Sequence, residues 1–209
     1  MAEKIILVGA VRGLASEGER VASIIRGTQT NVLALSISRE GLETMKCPER
    51  FTPDQTGPAN PEEEIYISGL SAFGEVVKPP PCFSMALGCA NAANIPIEPL
   101  DMDDEHYTAA YCKYVTTLDM MRQGSSRKRL ARYVFIAETP QDFVKEWDGL
   151  VNRLKGYREL ENAREEWLAK GIGRLAEKHD SVLAIIELER LDGVKKALET
   201  SGCGFEEIH

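Results

Sequence analysis

Apolar runs short enough for strands punctuate this chain, and between them apolar residues recur at helical spacing. Residues 5–8 and 182–186 are continuous apolar runs, the pattern of strands covered on both faces. Residues 32–37 form a third run and 95–100 a fourth. Between the first two strands in chain order, residues 17–26 place Val21, Ile24 and Ile25 on one helical face, with Ser16 as the candidate N-cap. A short helix is expected at 40–45. That strand–helix–strand unit implies parallel strands joined by a right-handed crossover. A helix of small residues at 84–93 precedes the 95–100 strand, and the last helix is expected over 192–199. Gly202 and Gly204 then introduce a terminal segment that reads as an edge strand.

The middle of the chain is patterned differently. A loop from Cys47 to Pro61 carries Pro48, Pro53, Pro58 and Pro61. Asn60-Pro61-Glu62-Glu63-Glu64 has the form of a helix start, a cap followed by proline and by acids facing the positive helix end. This helix is expected to end near Gly74, before Pro79-Pro80-Pro81. Tyr107, Ala110, Tyr111, Tyr114, Val115, Leu118 and Met121 share helical spacing and predict one long amphipathic helix. Three helical stretches fill 126–178, and Thr139-Pro140-Gln141-Asp142 starts the middle one. The order predicts one α/β domain over 1–209. Its sheet is mixed and largely parallel with flanking helices, and a helical lobe at about 103–178 is inserted before the last core strand.

Composition narrows the function classes. The 209 residues are 43% apolar and carry a net charge of -8, which repels nucleic-acid phosphates. The basic cluster of Arg122, Arg127, Lys128, Arg129 and Arg132 reads as a solvated helix face rather than a nucleic-acid patch. Glu3-Lys4 leads into a four-residue apolar run, too short for a signal peptide, and no stretch approaches a membrane span. A cytoplasmic protein with no membrane partner is therefore expected. The five cysteines form no CxxC pair, and His106, His179 and His209 stand far apart. Gly9 is the only glycine of the first turn, so neither a dinucleotide fingerprint nor a P-loop is present. No cofactor is expected.

Candidate chemistry gathers where strands end. The first strand runs into Gly9-Ala10-Val11-Arg12 and the last into Glu187-Leu188-Glu189-Arg190, each turn closing on an arginine. Ligands of open parallel sheets collect beyond the carboxyl ends of the strands, beside helix N-termini. Two guanidinium forks there suit a phosphate, sulfate or carboxylate. The competing reading pairs them with Glu187, Glu189 or Asp101 in a structural network. Asp101, Asp103, Glu187 and Glu189 offer hard oxygen ligands for Mg2+ or Ca2+, although the acidic run from Asp101 to Glu105 also reads as a helix cap, with Asp103 as the capping residue. Ser36 and Ser84 have no histidine spaced to serve as their base. The tyrosine stripe at 107, 111 and 114 reads as core or subunit interface, and Trp147 and Trp167 as packing anchors.

Three stretches together carry a family resemblance. Leu7-Val8-Gly9-Ala10-Val11-Arg12 and 31–38 open it. Met85-Ala86, Ile95-Pro96-Ile97 and Leu100-Asp101-Met102-Asp103 form its middle. Arg164-Glu165-Glu166-Trp167-Leu168-Ala169, 182–186 and Gly193-Val194 close it. In this order they resemble the TraB/PrgY-type family, related to the TIKI, erythromycin-esterase and ChaN-like proteins. The resemblance implies histidines at the positions of Arg12 and Arg190, glutamates at Ser36 and Ser84, and an arginine at Met102; Arg164 alone of the polar set is retained. It further implies that active relatives use those groups around a metal or as acid and base. Arginine stays protonated and does neither.

The expectation is thus a divergent, non-catalytic TraB-like protein. It would bind a small anion or acidic group through Arg12, Arg190 and Arg164, with Ser36 and Ser84 nearby. Two alternatives stand beside it. One is a metal-dependent hydrolase with a site rebuilt from Asp101, Asp103, Glu187 and Glu189. The other is a structural or interaction module, a homo-oligomer through the helical lobe.

Overall fold

Residues 4–47 and 61–208 are described by the computed structural model. Their strands are β1 (Lys4–Ala10), β2 (Val32–Leu35), β3 (Ile97–Pro99), β4 (Ser181–Glu187) and β5 (Glu206–Ile208). The helices are α1 (Ala15–Gly27), α2 (Arg39–Lys46), α3 (Pro61–Leu70), α4 (Pro81–Ala93), α5 (Asp104–Tyr114), α6 (Thr117–Leu130), α7 (Pro140–Val151), α8 (Lys155–Ala176) and α9 (Leu188–Thr200). The proline-rich segment at 48–60, including the Asn60 cap, lies outside the described residues.

The strands form one sheet in the order β3-β2-β4-β1-β5. Every pairing is parallel: β4 meets β1 from Lys4↔Ser181 to Ala10↔Glu187 and meets β2 from Val32↔Val182. β5 is the edge strand beside β1, with Ile6 opposite Glu206. The architecture is α/β, as the segment order implies.

Alternation along the strands sends side chains to two cores. Ile5, Leu7, Val182 and Ala184 face α8 and α9 through Leu168, Ile172, Leu191 and Val194. Ile6, Val8, Leu183 and Ile185 face α1 and α4 through Val21, Ile25, Phe83 and Ala86. Gly18 allows the latter helices to approach closely, since a Cβ there would lie 3.0 Å from Met85 Cγ and Pro81 Cβ. A third core gathers Val11, Leu14, Tyr66, Leu70, Phe143 and Val144 where β1 leaves the sheet, joining α3 and α7 to it.

Several boundaries differ from those the pattern predicts. α9 starts at Leu188 rather than near Asp192, so Arg190 occupies the first helical turn instead of a loop. Gly9 permits this early start: a Cβ on it would come within 2.7 Å of Leu191 and 2.9 Å of Leu188. Ser16 does not cap α1, whose N-cap is Leu14; the buried Glu17 accepts the Val11 N–H at 2.9 Å instead. α4 begins at Pro81, placing Ser84 in its first turn, and α3 stops at Leu70. β2 and β3 are shorter than the 32–37 and 95–100 runs, although backbone hydrogen bonds from Leu100 to Leu35 and from Asp101 to Ile37 carry the pairing past their ends.

The single long helix expected across residues 107–121 is two helices. Thr116 and Asp119 form a reciprocal capping box that starts α6 afresh. The tyrosine stripe is not core: α5 contains no buried residue, and Tyr107 is exposed. Asp103 caps α5 through the His106 N–H at 2.8 Å, and Thr139 caps α7, as the sequence implies.

Candidate functional site

β1 delivers Arg12, β2 delivers Ser36, β3 leads to Asp101 and β4 ends on Glu187, so the pole at the strands' carboxyl ends is charged. Ser36 is buried, and its hydroxyl accepts the Glu187 N–H at 2.9 Å, tying β2 to the start of α9. Arg12 lies 3.6 Å from Glu187 and over the ring of Tyr66, whose hydroxyl donates to the Arg12 carbonyl at 2.8 Å.

From Glu187 the ion pairs continue without a break. Arg164 reaches Glu187 at 3.7 Å, Asp101 through Nε at 3.3 Å and Glu161 at 2.8 Å. Arg190 takes up Glu161 at 3.2 Å, Glu165 at 3.0 Å and Asp148. Arg12 and Arg190 stand at opposite ends of this relay and contact different carboxylates among the described residues, while the charge of Glu189 bears on both.

The local sequence explains why so many acids converge. Arg190 is 3% exposed and sits in the first turn of α9, where the helix dipole disfavours a cation. Carboxylates from α7 and α8 offset both the burial and the dipole. Gly193 makes room for one of them, because a Cβ there would overlap Glu165 Oε2 at 1.8 Å.

Acids nonetheless outnumber bases. Three guanidiniums face Asp101, Asp148, Glu161, Glu165, Glu187 and Glu189, twice as many carboxylates. Burial, with the charges of Glu161 and Asp148 behind it, outweighs Arg190 and pushes the Glu165 carboxyl up to about 7. Burial and the Glu187 charge take Glu189 to about 7 as well, and its Oε2 is buried without a hydrogen-bond partner. Asp148 is raised by burial against the pull of Arg190. The arginines are raised as well, for the opposite reason, since the acids favour their charged form: Glu187 raises Arg12, while Glu161 and Asp101 overcome the burial of Arg164.

The remaining sequence candidates lie apart from the relay. Asp103 is committed to its cap and to His106 at 2.6 Å. The Ser84 hydroxyl donates within α4 to the Pro80 and Pro81 carbonyls at 3.3 Å. Among the described residues, no three His, Cys, Asp or Glu side chains are grouped to hold a metal ion.

Beside Arg190 opens a cleft of about 400 Å³ between α7 and α8. Asp148, Glu161, Glu165 and Arg190 form its inner wall, and Asn152, Arg153, Arg158 and Asn162 its mouth; Gly149 supplies the rest, and no apolar side chain lines it. Arg153 donates to the Ser126 hydroxyl at 2.6 Å and Arg158 to the Arg153 carbonyl at 2.7 Å. Neither has a carboxylate partner among the described residues. Pattern reading passed over these two because they flank the α7–α8 turn, far from any strand end. Asp148 and Glu161 were legible only as ordinary polar positions on helix faces.

No family model matches the chain, and no curated protein matches it. No helix among the described residues is long and apolar enough to cross a membrane.

Proposed function

We propose that the protein is a non-catalytic binding protein, a divergent TraB/PrgY-type chain, that holds a small anionic ligand or acidic group. The ligand enters at the cleft beside Arg190 rather than between Arg12 and Arg190. One observation carries this: Arg153 and Arg158 line the cleft mouth with no carboxylate partner among the described residues, whereas Arg12, Arg164 and Arg190 already face carboxylates. An anion at the paired arginines would have to displace a buried carboxylate; at the mouth it meets guanidiniums that each give one donor to a neutral oxygen and keep others to offer. Ser36 and Ser84 serve the backbone in this reading. A rebuilt hydrolytic centre at Asp101, Asp103, Glu187 and Glu189 has no grouped ligand set to start from.

The test is thermal unfolding with orthophosphate, sulfate and short carboxylates. Ligands that bind only the folded state raise its stability by mass action, by about 3 kcal/mol at a hundredfold excess over Kd. The rise is expected in the parent protein and in Arg12→Ala, and is expected to vanish in the Arg153→Ala/Arg158→Ala double variant. Equal protection in parent and double variant overturns the assignment.

Exposed Leu118, Met120 and Met121 on α6, with Val134 and Ile136 beyond it, favour a second property, self-association through the helical lobe. Light scattering on Leu118→Glu/Met121→Glu tests it: a dimeric parent and a monomeric variant are expected, and a monomeric parent removes this reading.

A further inference from the structure

We propose that the cleft beside Arg190 takes a small zwitterion, its ammonium group directed to Glu165 and Asp148 and its acidic group to Arg153 and Arg158. This rests on the reading that the two mouth arginines hold an anionic group, and it adds the class of molecule that carries that group.

The cleft is divided by charge. Its inner wall sets three carboxylates against one guanidinium, while its mouth presents two guanidiniums and no carboxylate. Glu161 is shared with Arg164 at 2.8 Å, but Asp148 and Glu165 have no guanidinium partner besides Arg190. An ionised carboxylate offers about four acceptor sites, so Arg190, with Asn152 at 2.8 Å from Asp148, leaves acceptor capacity of Asp148 and Glu165 facing the cleft. A simple anion satisfies the mouth and leaves the inner surplus in place, and a simple amine does the reverse. A molecule carrying both charges completes both ends. The volume of about 400 Å³ and the absence of apolar lining suit a compound of amino-acid size without a large hydrocarbon part.

The protonation of Glu165 supports this placement. The groups that bear on it are Arg190 from α9, Asp148 from α7, and Glu161 and Arg164 from α8, and together with burial they hold its carboxyl at about 7. An ammonium group beside it favours the ionised form, so binding near neutral pH releases a proton.

The experiment is calorimetric titration with glycine, β-alanine and γ-aminobutyrate, each compared with the carboxylate and the amine of matching length. At least one amino acid is expected to bind about tenfold or more tightly than its matching carboxylate. That advantage is expected to collapse in Glu165→Gln, whose fold is checked by circular dichroism. Repeating the titration in buffers of different ionisation enthalpy is expected to reveal proton release. Carboxylates that bind as tightly as their amino counterparts overturn the zwitterion proposal and leave the anion reading standing. Amines that bind as tightly as the amino acids, with Arg158→Ala silent, overturn both, as does the absence of binding by every probe.

Discussion

Replacing Arg190 by leucine removes the one guanidinium that Asp148 and Glu165 share, while keeping apolar bulk at a buried position. Glu161 retains Arg164, so the damage falls on the other two acids. Breaking a buried pair by deleting one partner costs about 3–5 kcal/mol, because the charge left behind is uncompensated. For a chain of this length that corresponds to a melting temperature lower by roughly 6–20 °C. The sign with pH separates this electrostatic cost from lost packing. Burial already holds Glu165 at about 7, above its ordinary value of 4.5, and without Arg190 it rises further. A carboxyl raised in the folded state contributes stability that is present below its unfolded pKa and is lost as pH rises through the folded value. The deficit of Arg190→Leu should therefore be small near pH 5 and large near pH 8. Urea unfolding followed by circular dichroism at both pH values measures it. An equal deficit at both, or a loss below about 1 kcal/mol at pH 8, refutes the claim that Arg190 is an electrostatic keystone.

Glu165→Gln should remove part of the fall in stability between pH 4.5 and about 7 that the parent shows, which pH-resolved urea unfolding reads directly. Gly69→Ala places a Cβ 2.3 Å from the ring of buried Phe143 and should cost about 1–3 kcal/mol through overpacking, measured by the same unfolding curve. Thr116→Ala removes the capping box that separates α6 from α5 and should cost about 1 kcal/mol, with early amide exchange at the first turn of α6 as its local signature.

The sheet was readable because its strands are apolar on both faces, and covered parallel strands leave that mark whatever surrounds them. The periodicity that starts α9 early was also present, since Leu188, Leu191, Val194 and Leu198 keep helical spacing. An aspartate beside a glycine drew the boundary to Asp192 instead, because nothing in the sequence shows that Gly9 leaves room for Leu188 and Leu191. The break before α6 was legible in Thr116-Thr117-Leu118-Asp119, but the apolar stripe running across it dominated the pattern. The site was half legible. Arg12, Glu187 and Asp101 lie at or near strand ends and were found for that reason, whereas Arg164, in α8, entered through the family resemblance. Asp148, Arg158, Glu161 and Glu165 come from helices, and Arg153 from the turn between them; docking fixes which faces meet, and a helix face does not name its neighbour.

The position of β4 has a consequence for how the chain reaches its native state. The strand formed by Ser181–Glu187 separates β1 from β2, which precede it by most of the chain. As the polypeptide emerges from the ribosome, β1 has no strand to pair with until that distant segment arrives, and β2 has only the short β3. Closing so long a loop makes assembly slow, and meanwhile two strongly apolar edges stand open to other chains. A nascent chain halted before Ser181 lacks the centre of its sheet, so such intermediates should be bound by chaperones or aggregate.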